Sequence, residues 1–207
     1  AFSVSPAAGS EEWDKPATRA LSYPQIDAED PVAAAFNAFA RKAAEAIHRE
    51  ADAENAEDAA QLDLSTTATI ADLTERRMSL RVEVSWYGHG AAHPNYTIRY
   101  RHYLADEERD LEVSDIFAGR DWQEHLAGLV TDALKDQLGD VMWEDAQADI
   151  AGWAVDPERW NFSQQGLVVQ FQPYEVAAYA FGAVTVTIPW ERLGDDLTAD
   201  ARSIAGY

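Results

Sequence analysis

Apolar and polar positions alternate along residues 62–104, a pattern typical of strands with one buried face. The segment Leu62–Leu73 is rich in threonine, and a turn is predicted at 74–77. Two more alternating segments follow, whose apolar faces carry Leu80, Val82, Val84 and Trp86, and then Tyr96, Ile98, Tyr100, His102 and Leu104. The alternation and the short turns predict consecutive antiparallel strands.

Two longer segments have apolar residues at three- and four-residue spacing, which predicts amphipathic helices. The first begins at Asp30 and Pro31, a capping residue followed by a proline at the first helical position, and is expected to end near residue 52. The second runs from Trp122 to Leu138 and has Gly139 as its C-terminal cap. Shorter helices are predicted at 143–152 and 190–193.

Further strands are predicted at 21–26, 111–113, 160–162, 167–171 and 183–188. Mixed in this order with the helices, they indicate an α+β fold, a mostly antiparallel mixed sheet with two main helices packed on it. Two half-modules, 21–113 and 114–195, are expected to share that one sheet. Residues 1–20 are predicted to be an N-terminal tether, 21–207 a single domain, and 196–207 its tail.

The segment 86–95 interrupts the alternation. It is longer than a chain reversal requires and contains more glycine, proline and polar residues than a simple turn needs. Its glycines allow backbone angles that other residues resist, and its proline fixes its own φ and extends the preceding residue. The segment also holds two histidines and an asparagine. Its candidate partner-binding residues are Tyr87, Gly88, His89, Gly90, His93, Pro94 and Asn95.

A second irregular segment, at 172–181, places two phenols and a carboxylate between strands. Its candidate residues are Pro173, Tyr174, Glu175 and Tyr179. Tyrosine supplies rigid amphipathic contact area at low entropic cost, which favours a binding function. The alternative is that the tyrosines pack the loop against the sheet.

The charge balance points away from nucleic acid. Sixteen Lys and Arg against 37 Asp and Glu give a net charge of −21, which repels phosphates and anionic membrane surfaces. The same charge favours solubility and the attraction of a basic partner. No run of 18 apolar residues is present, so no membrane span is predicted, and a monomer is expected.

Several kinds of active site lack their motifs. The chain has no cysteine, which removes disulfides, thiol catalysis and cysteine zinc sites, and G-x-S-x-G and a complete phosphate-binding loop are missing. His89 and His93 are four residues apart, but glycines and a proline argue against a helix, and no glutamate follows His89. They are expected to hold the loop, to contact a ligand or to bind a metal with carboxylates from elsewhere. No catalytic residue, metal ligand or cofactor is assigned. His102 is predicted to be partly buried and hydrogen-bonded, whereas His48 and His125 are predicted to be solvated.

Short motifs in a fixed order resemble a known family. They are Y-P-Q at 23–25, Y-G-H-G-A-A-H-P-N at 87–95, D-I-F at 115–117, F-Q-P-Y-E-V-A-A-Y-A-F-G at 171–182 and V-T-I-P at 186–189. Together they are similar to the bacterial extracytoplasmic domain of unknown function found in RsiV-type anti-sigma factors and, as a non-catalytic domain, in PdaC-type peptidoglycan deacetylases. The resemblance covers about residues 21–195.

The resemblance implies a non-catalytic α+β domain in the periplasm or elsewhere outside the cytoplasm, including a lipoprotein whose signal has been removed. Members of the anti-sigma type bind lysozyme through loops of this domain, which here correspond to 87–95 and 173–179. The leading hypothesis is a non-enzymatic envelope module that recognises a lysozyme-like muramidase or cell-wall glycan, with both loops at the same edge of the sheet. The alternatives are a cell-wall hydrolase or deacetylase-type enzyme that uses His89 and His93, and an assembly module with Trp153 and Trp160 at its interface.

Overall fold

The strands of the first sheet keep the order of the chain. The computed structural model describes residues 16–27 and 30–207, and five consecutive strands follow one another across this sheet. They are β1 (Arg19–Ser22), β2 (Leu62–Leu73), β3 (Arg77–Gly88), β4 (Asn95–Leu104) and β5 (Arg109–Asp110). β1 runs parallel to β2, whereas β4 and β5 are antiparallel, so the sheet is mixed.

A second sheet holds β6 (Trp160–Phe162), β7 (Gly166–Phe171) and β8 (Val184–Pro189), with β7 in the middle and both pairs antiparallel. The strands predicted at 160–162 and 167–171 are confirmed, and they pair as a hairpin. The prediction of one shared sheet is wrong, because no strand pairing in the described ranges joins β6–β8 to β1–β5. The predicted strand at 111–113 is also wrong. Glu112 and Asp115 form a capping box there, which starts a helix and ends the strand pairing after β5.

Six α-helices are described: α1 (Pro31–Glu54), α2 (Val113–Ile116), α3 (Trp122–Leu138), α4 (Gln147–Ala154), α5 (Trp190–Leu193) and α6 (Ala201–Ala205). The α+β fold class is therefore confirmed. Asp30 caps α1, since its carboxylate accepts a hydrogen bond from Ala33 N at 2.8 Å. α3 has the predicted bounds, and Gly139 ends it with a φ of 53°.

The chain divides into two compact units. Unit 1 contains the described residues 16–27, 30–69 and 81–97, and unit 2 contains 70–80 and 98–207. β2, β3 and β4 each contribute residues to both units, and the predicted half-modules 21–113 and 114–195 stay a prediction.

In unit 1, α1 buries one face that includes Phe36, Phe39 and Ile47. β1 and β2 are connected to this helix by side chains. Arg19 Nε donates to an Asp52 carboxylate oxygen at 2.5 Å, and His48 Nδ1 lies 2.8 Å from the hydroxyl of Thr66. His48 is half-buried, so its predicted solvation is wrong.

Unit 2 is organised around an apolar core to which α2 to α6 and the second sheet contribute. Its largest fully buried side chain is Trp160, so the idea of an exposed Trp160 at an interface is wrong. The segment predicted as a tail, 196–207, contains α6, which buries Ala201, Ile204 and Ala205. His125 is half-exposed, and its Nδ1 lies 2.6 Å from a carboxylate oxygen of Asp196.

At the N-terminal end, residues 1–15 of the predicted tether lie outside the described residues, and Arg19 and Ala20 belong to β1. The strand predicted at 21–26 is thus observed at Arg19–Ser22. No helix in the described ranges has both the length and the apolar character that crossing a bilayer requires.

Candidate functional site

The first candidate loop connects β3 to β4 in unit 1 and is held in place by hydrogen bonds within that unit. His89 N donates to the carbonyl of Gln61 at 2.8 Å, and the Tyr87 hydroxyl donates to the carbonyl of Ala91 at 3.1 Å. Gly90 has a φ of 89°, a conformation that favours glycine. Gly88 ends β3, Asn95 begins β4, and residues 91–94 are exposed. The loop is therefore a braced hairpin connection with an exposed tip.

His89 turns inward, towards a carboxylate of the same unit. Its side chain is 6% exposed, and its Nε2 lies 3.4 Å from an oxygen of Asp63. The same carboxylate accepts hydrogen bonds from Thr18 N and Oγ1 at 2.8 and 2.9 Å. Burial acts to raise the pKa of Asp63, but the hydrogen bonds from Thr18 and His89 outweigh it and lower that pKa. His89 therefore has the contacts of a residue that holds the loop in place.

His93 has a different environment at the loop tip. It is exposed, and its Nδ1 lies 3.0 Å from the carbonyl oxygen of Pro94. The two histidines thus have different partners although they are four residues apart. Within residues 16–27 and 30–207, no group of three or more histidines and carboxylates has the arrangement of a metal site.

The second candidate loop, residues 172–183, lies in unit 2 and is fixed by an ion pair. Arg159 donates from both terminal nitrogens to the carboxylate of Glu175, at 2.6 and 2.8 Å. The same carboxylate accepts a hydrogen bond from Gln172 N at 2.7 Å. The Gln172 side chain in turn bonds the backbone N and O of Ile98 at 2.8 and 2.6 Å. Glu175, predicted from sequence as a partner-binding residue, is engaged in positioning its own loop.

Tyr174 is held in an unusual backbone conformation next to this brace. Its φ is 70°, in the left-handed region that costs a non-glycine residue about 1–2 kcal/mol, and it is 49% exposed. Strained residues persist where surrounding contacts impose them, which is common at binding sites. Here the neighbouring Glu175 is fixed by Arg159, and the next residue, Val176, is fully buried. The loop therefore holds the Tyr174 ring at the surface.

Three rings meet at this loop and form what we call the aromatic surface: Trp143, Tyr174 and Tyr179. The ring centroids of Trp143 and Tyr174 are 6.4 Å apart, and those of Tyr174 and Tyr179 are 5.2 Å apart. Trp143 is 41% exposed, and its backbone N donates to the carbonyl of Val176 at 2.9 Å. Phe181, which follows Tyr179 closely in the chain, is 50% exposed. Exposed rings grouped in this way are typical of protein or ligand contact sites.

Acidic residues flank Trp143 along the chain. Asp140, Glu144 and Asp145 are all exposed, and none of the three has an ion-pair partner among the described residues. The sequence predicts Pro173, Tyr174 and Tyr179 in this region but not Trp143. A large aromatic residue set among acids, outside any apolar stripe, is the signal that could have identified it.

A buried serine and histidine pair lies elsewhere in unit 2. Ser79 Oγ is 2.8 Å from His102 Nδ1, and His102 Nε2 is 2.9 Å from the carbonyl of Trp160. Since a carbonyl accepts, Nε2 carries the proton and Nδ1 accepts from the Ser79 hydroxyl, which itself accepts from Arg77. Ser79 is fully buried and His102 is 6% exposed, so the Ser79 hydroxyl is enclosed by the protein. The predicted hydrogen bonding of His102 is confirmed, and its burial is more complete than predicted.

The two candidate loops belong to different units. Residues 88–95 are part of unit 1, and residues 173–179 are part of unit 2. The expectation that they lie at the same edge of the sheet stays a prediction.

Comparison with known families found a similarity in the C-terminal part of the chain. Residues 114–191 match the model of the family described as protein of unknown function DUF3298. Comparison with curated proteins gave no match.

Two solved structures have a similar fold. One is a DUF3298 family member from Bacteroides fragilis, with a TM-score of 0.53, 20% identity, and coverage of 79% of this chain and 67% of that one. The other is a DUF3298 family protein from Pseudomonas aeruginosa, with a TM-score of 0.50, 16% identity, and coverage of 68% and 64%. The chain thus spans about two thirds of the length of each. Residues 114–191 are therefore similar to the DUF3298 family, and the two solved structures have a fold similar to that of this chain.

Proposed function

We propose that this protein is a non-enzymatic binding module outside the cytoplasm whose aromatic surface recognises a basic, lysozyme-like muramidase. The observation that carries the proposal is the grouping of Trp143 with Tyr174 and Tyr179, two residues of a loop that an ion pair holds in a strained conformation. A loop held in this way presents its rings with little entropy left to lose on binding.

The charge around the aromatic surface supports a basic partner. Asp140, Glu144 and Asp145 are exposed beside Trp143, and the whole chain carries a net charge of −21. An arginine or lysine of a partner that lies over an exposed tryptophan or tyrosine ring gains a cation–π interaction, and nearby carboxylates strengthen it. Complementary charge also accelerates association at low salt.

The resemblance of the chain to the lysozyme-sensing family supports the same partner class. The loop at 173–179 corresponds to one of the loops expected to take part, and it carries two of the three rings of the aromatic surface. The tip at 91–94 is exposed and is the second proposed contact. The enzymatic alternative has less support, because His89 faces Asp63 and the Ser79–His102 pair is enclosed.

Calorimetric titration with lysozyme at low and moderate salt tests this proposal. We expect binding that weakens as salt rises, because exposed charges are screened. Trp143→Ala and Tyr174→Ala should each weaken binding about tenfold or more, as truncation of central aromatic residues does at protein interfaces. Leu73→Ala, which removes a side chain 48% exposed, is the matched control and should bind normally.

Cell-wall glycan is the second candidate, since exposed rings also stack on sugar faces. A parallel titration with soluble peptidoglycan fragments separates the two. Heat with the fragments and none with lysozyme would assign the aromatic surface to glycan. The absence of heat with lysozyme at micromolar concentration in both salts would overturn the protein-partner proposal.

A further inference from the structure

A cavity of 660 Å³ lies within unit 2, lined by residues of the β6–β7 turn, of α5 and α6 and of the segments around them. Its volume falls within the range of about 300–1,000 Å³ that is typical of small-molecule sites. The lining includes Gln164, Trp190, Glu191, Leu197, Arg202 and Tyr207, so apolar and polar groups are mixed. None of these residues belongs to the aromatic surface.

One wall of the cavity is a column of stacked rings. The Tyr207 ring lies parallel to Trp190, with centroids 4.3 Å apart and planes 3° from parallel. Trp190 is parallel to Phe162 on the core side, with centroids 6.3 Å apart, and its indole N donates to the carbonyl of Ser163 at 2.8 Å. Trp190 is therefore fixed, and Tyr207 is stacked on a rigid support.

Arg202 completes the column. Its guanidinium carbon lies 5.1 Å from the centre of the Tyr207 ring. The Arg202 side chain also hydrogen-bonds the Tyr207 phenol, and its remaining N–H groups can donate to a planar acceptor such as a carboxylate. Arg202 has no ion-pair partner among the described residues, although the chain has 37 acidic residues.

An opposite charge lines the same cavity. Glu191 is exposed and also has no ion-pair partner in the described part of the chain. Both charges act on the Tyr207 phenol. Burial raises the pKa of Tyr207, Arg202 acts to lower it, and Glu191 acts to raise it. A cation and an anion thus lie around one aromatic wall.

We propose that this cavity is a binding site for a zwitterionic small molecule, a free amino acid or short peptide. Arg202 pairs with the ligand carboxylate, Glu191 with its ammonium group, and Leu197 and the Trp190–Tyr207 column contact its apolar part. A ligand with a single anionic group is disfavoured, because it would lie near Glu191, and a purely cationic one is disfavoured by Arg202. This site is independent of the aromatic surface and of its proposed partner.

Chemical-shift mapping of the ¹⁵N-labelled protein with the dipeptide Ala-Leu tests this proposal. We expect shifts at 190–207, and binding about tenfold weaker for N-acetyl-Ala-Leu and for Ala-leucinamide, because each loses one charged hydrogen bond. Glu191→Gln should remove the preference for the free ammonium group, and Arg202→Gln the preference for the free carboxylate. Arg192→Gln is the matched control and should change neither, since Arg192 lines a different cavity of 220 Å³.

Free leucine distinguishes the two sources of this chemistry. Equal binding of leucine and Ala-Leu would assign the site to amino acids, and preference for Ala-Leu would assign it to peptides. Trp143→Ala should leave the binding of leucine and of Ala-Leu unchanged, which separates this result from the lysozyme titration. Equal binding of the blocked and free dipeptides would overturn the proposal. The absence of shifts at about 10 mM ligand, a concentration that corresponds to a very weak site, would overturn it as well.

Discussion

The two terminal nitrogens of Arg159 face the two carboxylate oxygens of Glu175 at 2.6 and 2.8 Å, across 16 residues of chain. The same guanidinium carbon lies 5.5 Å from the centre of the Trp153 ring on α4. Both partners of the ion pair are largely buried, with side chains 14% and 18% exposed. The loop that presents Tyr174 is therefore tied to the interior of unit 2 by one planar, two-pronged contact.

Arg159→Lys should disturb this contact while keeping the positive charge. A lysine cannot reproduce the paired hydrogen bonds or the stacking on Trp153, so we expect the free energy of unfolding to fall by about 1–2 kcal/mol. Urea denaturation followed by circular dichroism measures this change. Arg192→Lys, at a less enclosed arginine of the same unit, is the control and should stay within about 0.5 kcal/mol of the parent. Equal stability of the two variants would contradict the assigned role of Arg159.

Tyr174 provides a test of backbone strain. At a φ of 70°, glycine is tolerated without steric cost whereas alanine is not. We therefore expect Tyr174→Gly to be more stable than Tyr174→Ala by about 1 kcal/mol, although glycine is normally the less stabilising residue. Thermal unfolding of the two variants measures the difference. Both variants lack the ring, so both should bind the partner equally weakly, and a more stable alanine variant would show that Tyr174 is unstrained.

His102 makes stability depend on pH. Burial and the nearby charge of Arg77 together lower the pKa of His102 to about 3, and burial is the larger cause. Between about pH 6.5 and 3 the unfolded chain binds a proton that the folded chain does not, so stability should fall as pH falls, by up to about 1.4 kcal/mol per pH unit. Burial also lowers the pKa of His48, which acts in the same direction.

Urea denaturation between pH 6.5 and 4.5 measures how steeply the free energy of unfolding changes with pH. This pH range lies above the values at which most carboxylates titrate. His102→Gln keeps one donor and one acceptor for Trp160 and Ser79 but cannot be protonated, so its slope should be shallower than that of the parent. His93→Gln, at the exposed loop tip, controls for the loss of a histidine. A slope unaffected by His102→Gln would show that this residue is not the group responsible.

Two glycines should respond to alanine in opposite directions. A Cβ on Gly166 would lie 2.1 Å from the carbonyl oxygen of Ile188 and 3.0 Å from Pro189 Cα on the paired strand. Because backbone cannot move away cheaply, Gly166→Ala should destabilise by about 3 kcal/mol or more. Gly128 lies inside α3 with open space around it, so Gly128→Ala should stabilise by about 0.5–1 kcal/mol. Thermal unfolding of both variants gives the comparison, and a tolerated alanine at 166 would contradict the β7–β8 register.

The elements that sequence predicted best are those whose burial follows a regular period. β2 and α3 have the predicted bounds, because α3 buries one face along its length and the buried positions of β2 alternate from Leu62 to Ala68. The number of sheets was not predictable in this way, since alternation shows that a strand is half-buried but not which strand lies beside it. The packing of α6 was missed because five residues are too short to display a helical period.

The candidate site was predictable in part. Glycine, proline and aromatic content marked both irregular segments, but a side chain's direction depends on partners far away in the sequence. Glu175 was predicted to face a partner, and the arginine that holds it lies 16 residues earlier. His89 likewise faces Asp63, a residue of another strand. Trp143 reaches the aromatic surface from a separate segment of the chain, a proximity that no local motif encodes.

Arg77 links the beginning of β3 to the end of the described chain. Its guanidinium is fully buried and donates to the carbonyls of Ile204 and Ala205 at 2.9 and 3.2 Å, 127 and 128 residues away. A buried guanidinium without these acceptors would be costly. During synthesis on the ribosome, unit 2 therefore cannot complete its interior until residue 205 has left the exit tunnel. Until then Arg77 lacks two of its backbone acceptors, so the interior around the start of β3 closes only when α6 is added.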